Sequence, residues 1–136
     1  MKKIKIFNIY KLKNNLRDGI ENFSKLDCEF IMPVVDMVDD VLFGVISTKK
    51  SKETALNVYN EKENAFELNL DRFYKISKKN LENNIFLDEQ VVDENKIGKR
   101  KELEILENIK KLFDDYNSNV KLTYIYKKSP NLRQNL

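Results

Sequence analysis

Glu29-Phe30-Ile31-Met32-Pro33-Val34-Val35-Asp36-Met37-Val38-Asp39-Asp40-Val41-Leu42-Phe43-Gly44-Val45-Ile46-Ser47 is the stretch that decides the fold. Residues 29–38 are rich in Ile, Val and Phe and read as a strand. Asp39-Asp40 reads as a turn, and residues 41–47 read as a second strand, so the pair predicts a β-hairpin. Pro33 inside the first strand predicts an edge position or a bulge there, because proline has no N–H to give to a ladder.

Working outward, residues 2–10 alternate as a strand does, with Ile4, Ile6, Asn8 and Tyr10 on one side. Leu12, Leu16, Ile20, Phe23 and Leu26 recur at helical spacing and predict a helix over 12–26, weakened by Gly19. After the hairpin, residues 54–59 and 65–70 form another strand pair around a polar turn at 60–64, and 72–76 reads as a short extra strand. Residues 77–98 are polar, with Leu81, Ile85, Phe86, Val91 and Val92 as anchors. The strongest helix is 99–116. Leu103, Leu106, Ile109, Phe113 and Tyr116 line one face, with Ile105 and Leu112 beside it. A last strand at 120–126 runs into a basic tail from about residue 127. The sum predicts an α+β fold of one domain over 1–136. Its small, strongly bent antiparallel sheet or SH3-like barrel is flanked by two main helices, with an open antiparallel sheet as the alternative.

Composition removes several chemistries. The chain has 136 residues, no histidine, one cysteine, no tryptophan, three glycines and two prolines. Without histidine there is no Ser-His-Asp or Cys-His catalysis and no imidazole acid–base pair. One cysteine supports neither a disulfide framework nor a structural zinc site. Cys28 lies between Asp27 and Glu29, which disfavour a thiolate, and reads as core. The glycines are too scattered for a phosphate-binding loop. The carboxylate pairs Asp39-Asp40, Asp88-Glu89 and Asp114-Asp115 read as turn or helix-end devices, so no metal and no cofactor are expected. No apolar run approaches a membrane span and the start makes a poor signal peptide, so the expectation is a cytoplasmic protein with no membrane partner.

The formal charge of +3 conceals a segregation. Residues 1–17 hold six Lys or Arg and no acid, whereas 26–47 hold five acids and no base. Lys49, Lys50 and Lys52 then cluster, and Lys121, Lys127, Lys128 and Arg133 follow near the end. Two basic termini and a basic loop, interleaved with Tyr10, Tyr124 and Tyr126, would suit phosphates and unstacked bases. A Lys-rich solvated surface explains the same residues without a ligand.

The sharpest chemical feature is Phe43-Gly44-Val45-Ile46-Ser47-Thr48-Lys49-Lys50. An apolar strand ends in two hydroxyls followed at once by two ammonium groups. That order can hold a phosphate and balance a phosphorane's charge, although it is also an ordinary polar turn.

In the order of these elements the chain resembles the ToxN/AbiQ-like endoribonuclease toxins of type III toxin–antitoxin and abortive-infection systems, and more broadly the PemK/MazF barrel toxins. The matching pieces are the strand at Ile4 to Tyr10, the hairpin ending in Ser47-Thr48-Lys49, and Glu67-Leu68-Asn69-Leu70-Asp71-Arg72-Phe73-Tyr74-Lys75-Ile76. The helix Arg100 to Tyr116 and the last strand with Tyr124 and Tyr126 complete the series. The family often carries Pro-Leu-Thr-Ser where this chain has Gly-Val-Ile-Ser-Thr, so the hydroxyl order differs. The resemblance implies metal-independent RNA cleavage, leaving a 2′,3′-cyclic phosphate and a 5′-hydroxyl. It implies Ser47 and Thr48 on the scissile phosphate, Lys49 or Lys50 stabilising the transition state, and Tyr10 stacking a base. Lys5, Lys11, Lys13, Lys52 and Lys121 would line the RNA path, with Tyr124 and Tyr126 beside it. The implied partners are substrate mRNA and a small structured antitoxin repeat RNA, in a protein–RNA ring or dimer serving phage defence. Two alternatives stand beside this expectation: the same fold with a protein antitoxin, and a non-enzymatic RNA-binding or inhibitor module.

Overall fold

The hairpin expected from residues 29–47 is present and lies at the middle of the sheet. The computed structural model describes residues 4–12, 20–21, 30–48, 55–61, 64–82, 85–114 and 121–127. In chain order these form β1 (Ile9–Leu12), β2 (Ile20–Glu21), β3 (Phe30–Met37), β4 (Asp40–Ser47), β5 (Ala55–Glu61) and β6 (Asn64–Ser77). Then come α1 (Lys78–Glu82), β7 (Ile85–Val92), α2 (Glu94–Ile97), α3 (Lys99–Asp114) and β8 (Lys121–Lys127). The fold is α+β, with more strand than helix. The strand order is β2-β8-β6-β4-β3-β1-β7, with β5 paired to β6. Every pairing is antiparallel except β6–β8. Among the described residues the two ends of this path do not pair, so the sheet is open and the barrel alternative is not formed.

Pro33 sits at a bulge, where the β3–β4 register slips between Pro33 and Val35. The slip spares β4 a missing N–H, and the Pro33 carbonyl accepts from Phe7 N at 2.8 Å. The turn falls one residue earlier than the sequence suggests, at Val38-Asp39, and Asp40 pairs with Met37. Val38 has φ 70°, a left-handed conformation costly for a β-branched residue. The Asp36 carboxylate holds it by accepting from Val38 N at 3.0 Å and also pairs with the Lys78 ammonium of α1. Those two donors, Lys78 first, hold the Asp36 carboxyl below its ordinary pKa.

β6 is one long strand that serves two neighbours. Residues 64–69 pair with β5 and residues 72–76 pair with β8. The extra strand expected at 72–76 is therefore the second half of β6. Against β4, Gly44 opposes Phe73 while Ile46 opposes Leu68, so four β6 residues, 69–72, stand against Val45 alone. Asn69 Oδ1 accepts from Asp71 N at 2.7 Å and fixes this bend. The bend brings Leu68 and Phe73 together over Gly44. A Cβ there would lie 2.5 Å from Leu68 Cδ1 and 3.3 Å from Phe73 Cε1. Both neighbours are fully buried, so only glycine fits without repacking.

Alternation along the strands gives the sheet two apolar faces. Leu42, Ile46, Leu68 and Phe73 face Ile105 and Ile109 of α3 and Ile97 of α2. Ile31, Val41, Phe43, Tyr74 and Ile76 face Leu81 of α1 on the other side. There Phe43 and Tyr74 stack at 5.4 Å between centroids.

Three expectations are corrected. The strand expected at 2–10 holds only from Ile9, where β1 begins; before it Asn8 N donates to Lys5 O in a turn, and residues 2–3 lie outside the described residues. Phe7 at φ 72° breaks the alternation. The helix expected at 12–26 is contradicted at Ile20 and Glu21, which pair with Lys127 and Tyr126 of β8; residues 13–19 and 22–26 lie outside the described residues. Among the described residues α3 is the one long helix, and it buries a different stripe. Ile105 and Ile109 are buried with Leu112 against them, while Leu103 is 61% and Leu106 40% exposed. No described helix is long and apolar enough to cross a membrane.

Candidate functional site

The strand-end hydroxyls lie where the bent half of β6 begins. Ser47 closes β4 and Thr48 follows in a bend; both are half-buried. β4 ends here because the apolar alternation stops and the chain becomes polar through residue 54. Ser47 is in register with Glu67 on β6, and Glu67 with Asn57 on β5. Residues in register share a face, so a hydroxyl, a carboxylate and an amide form one polar row across three strands.

The row contains an unusual carboxylate. Glu67 Oε1 is sealed from solvent and has no hydrogen-bond partner, although the residue as a whole is half-buried. Asn57 does not satisfy it, because its amide is turned along β5. Asn57 Nδ2 donates to Asn60 Oδ1 at 3.0 Å, and Asn60 Nδ2 returns a bond at 3.3 Å. Sequence inspection misses Glu67, which lies in an alternating strand like any surface glutamate. Only the register reveals that it faces Ser47.

Lys49, Lys50, Lys52 and Lys13 lie outside the described residues. Lys11 is in register with Phe30, which opposes Ile46. That is the neighbouring row, and its side chains point to the face opposite Ser47. Lys5 is exposed in the N-terminal turn. On β8 the backbone sets Lys121 opposite Arg72, Tyr124 opposite Lys75 and Tyr126 opposite Glu21.

Tyr10 does not serve as a stacking platform. It is 4% exposed, packed with Leu12, Ile31 and Phe43. It shares Ser47's face but lies two strands away, about 12 Å by the sheet spacings. Its hydroxyl accepts from Lys5 N at 2.9 Å and from Asn8 Nδ2 at 3.4 Å. Burial raises the Tyr10 pKa above its ordinary value, and the nearby Glu94 and Asp93 charges push the same way. Asn8, fully buried, accepts from Glu94 N at 2.7 Å and so ties this turn to the start of α2. The Glu82 carboxylate accepts from Ile4 N at 3.1 Å. Three acids thus surround the Tyr10 end, a poor setting for phosphate.

Chemically, the Ser47–Glu67 row sets a hydroxyl beside a carboxylate at the end of β4. No protein family, curated protein or solved structure matches the chain.

Proposed function

We propose that the protein is a metal-independent endoribonuclease toxin of the ToxN/AbiQ type, restrained by a small structured RNA. The observation that carries this reading is the polar row at the end of β4, with half-buried Ser47 in register with Glu67 and Thr48 next in the chain. RNA supplies its own nucleophile, the 2′-hydroxyl, so the protein need only position the phosphate, stabilise charge and move protons. Hydroxyls, lysines and a carboxylate meet those needs in a chain without histidine. Ser47 and Thr48 hold the scissile phosphate, and Lys49 or Lys50, which follow directly in sequence, balance its charge.

The test is growth arrest on expression, with RNA cleavage by the purified protein. Ser47→Ala and Thr48→Ala are each expected to lower cleavage at least tenfold while the melting temperature stays within a few degrees. Variants that stay folded and remain as toxic as the parent would refute the site. A non-catalytic module that binds another protein has one observation on its side, the exposed Leu103, Leu106 and Phe113 on α3. That reading requires substitutions at Ser47 and Thr48 to be harmless and Leu103→Lys to abolish function.

A further inference from the structure

We infer that the Glu67 carboxylate is the proton acceptor of the strand-end site, taking the 2′-hydroxyl proton of an RNA phosphodiester held at Ser47 and Thr48. This rests on the endoribonuclease reading above and adds the group that reading leaves unnamed. Directly opposed residues on paired strands have Cβ atoms about 4.5–5.5 Å apart. A phosphate bonded to the Ser47 hydroxyl therefore brings its neighbouring ribose within reach of Glu67.

The second observation is independent of the pairing. Folded proteins seldom leave a buried polar atom without a partner, because the desolvation is not repaid. Glu67 Oε1 is such an atom, and the amide in register with it, Asn57, bonds to Asn60. An ionised carboxylate is an acceptor only. A ribose hydroxyl is a donor of the kind such a group takes, and Glu67 as a whole keeps part of its surface in solvent. With no imidazole in the chain, a carboxylate is an ordinary choice of general base.

In the step, the 2′-O–H proton passes to the Glu67 carboxylate as the 2′-oxygen bonds to phosphorus. The P–O5′ bond breaks, and the leaving 5′-oxygen takes a proton from water. Glu67 then returns its proton to the resulting hydroxide. No water, metal or oxidant is consumed, and the products are a 2′,3′-cyclic phosphate and a 5′-hydroxyl.

The experiment compares the full chain with Glu67→Gln on mixed-sequence single-stranded RNA, with cleavage rate, RNA affinity and melting temperature measured for both. Glu67→Gln is expected to lower kcat about 10²- to 10⁴-fold, the usual worth of a general base. RNA affinity should stay within threefold and the melting temperature should not fall. Glu67→Asp should recover part of the rate. Full-rate cleavage by Glu67→Gln overturns this inference and leaves the endoribonuclease reading standing. A loss confined to affinity also overturns it, since Glu67 is then a binding contact. No cleavage by the parent chain overturns both.

Discussion

The Tyr10 hydroxyl accepts a hydrogen bond from Lys5 N–H and stands near Asp93 and Glu94. Its role is to close the N-terminal turn onto the sheet. Because burial raises its folded pKa, the neutral phenol belongs to the folded state. That contribution is full below the unfolded tyrosine value, about 10, and is lost as pH rises through the folded value. Tyr10→Phe should cost about 1 kcal/mol at neutral pH, the worth of one such bond. It should also flatten the alkaline loss of stability in chemical denaturation, and leave RNA affinity unchanged. A large loss of RNA affinity in a folded Tyr10→Phe protein would restore Tyr10 to the site. The two tyrosine roles are indistinguishable in sequence, since an alternating segment with lysines describes an exposed strand and a buried turn equally well. Ser47 and Thr48 were legible because hydroxyls directly after an apolar run mark a strand end. Glu67 was not, because its meaning depends on register with a strand distant in sequence.

At the scale of elements, the strands of the β3–β4 hairpin, the β5–β6 pair and α3 were readable from local pattern. Pro33 even marked the bulge. The bend that divides β6 between two partners showed in sequence only as a break at Asp71 between two strands, since local pattern does not say that one strand continues through it with a change of neighbour. On α3 the period was right and the buried stripe was not. Two adjacent apolar stripes satisfy the same period, and only the sheet decides between them. Ile105→Ala should therefore cost about 2–5 kcal/mol in denaturant unfolding, whereas Leu103→Ala should stay within about 0.5 kcal/mol. Equal losses would mean that the Leu103 side of the helix is covered. Glu21, Tyr126 and their neighbours show the opposite lesson. A two-residue strand such as β2 gives no periodic signal at all, so its pairing with β8 overrides the helical spacing around Ile20.

For the whole molecule, the open sheet turns one face to α2 and α3 and the other to α1. The polar row of Ser47, Glu67 and Asn57 belongs to the α1 face, where Ser47 follows Val41, Phe43 and Val45 in the alternation. The acids Asp36, Asp39 and Asp40 gather at the β3–β4 turn, at the opposite end of β4 from Ser47. The absence of histidine excludes an imidazole acid or base anywhere in the chain. The most direct measurement incubates the purified protein with single-stranded RNA in excess chelator and maps the product ends. Cleavage leaving 2′,3′-cyclic phosphate and 5′-hydroxyl ends, lost in Ser47→Ala and Glu67→Gln, is the expected result. RNA that stays intact, or cleavage at full rate in both variants, would contradict it.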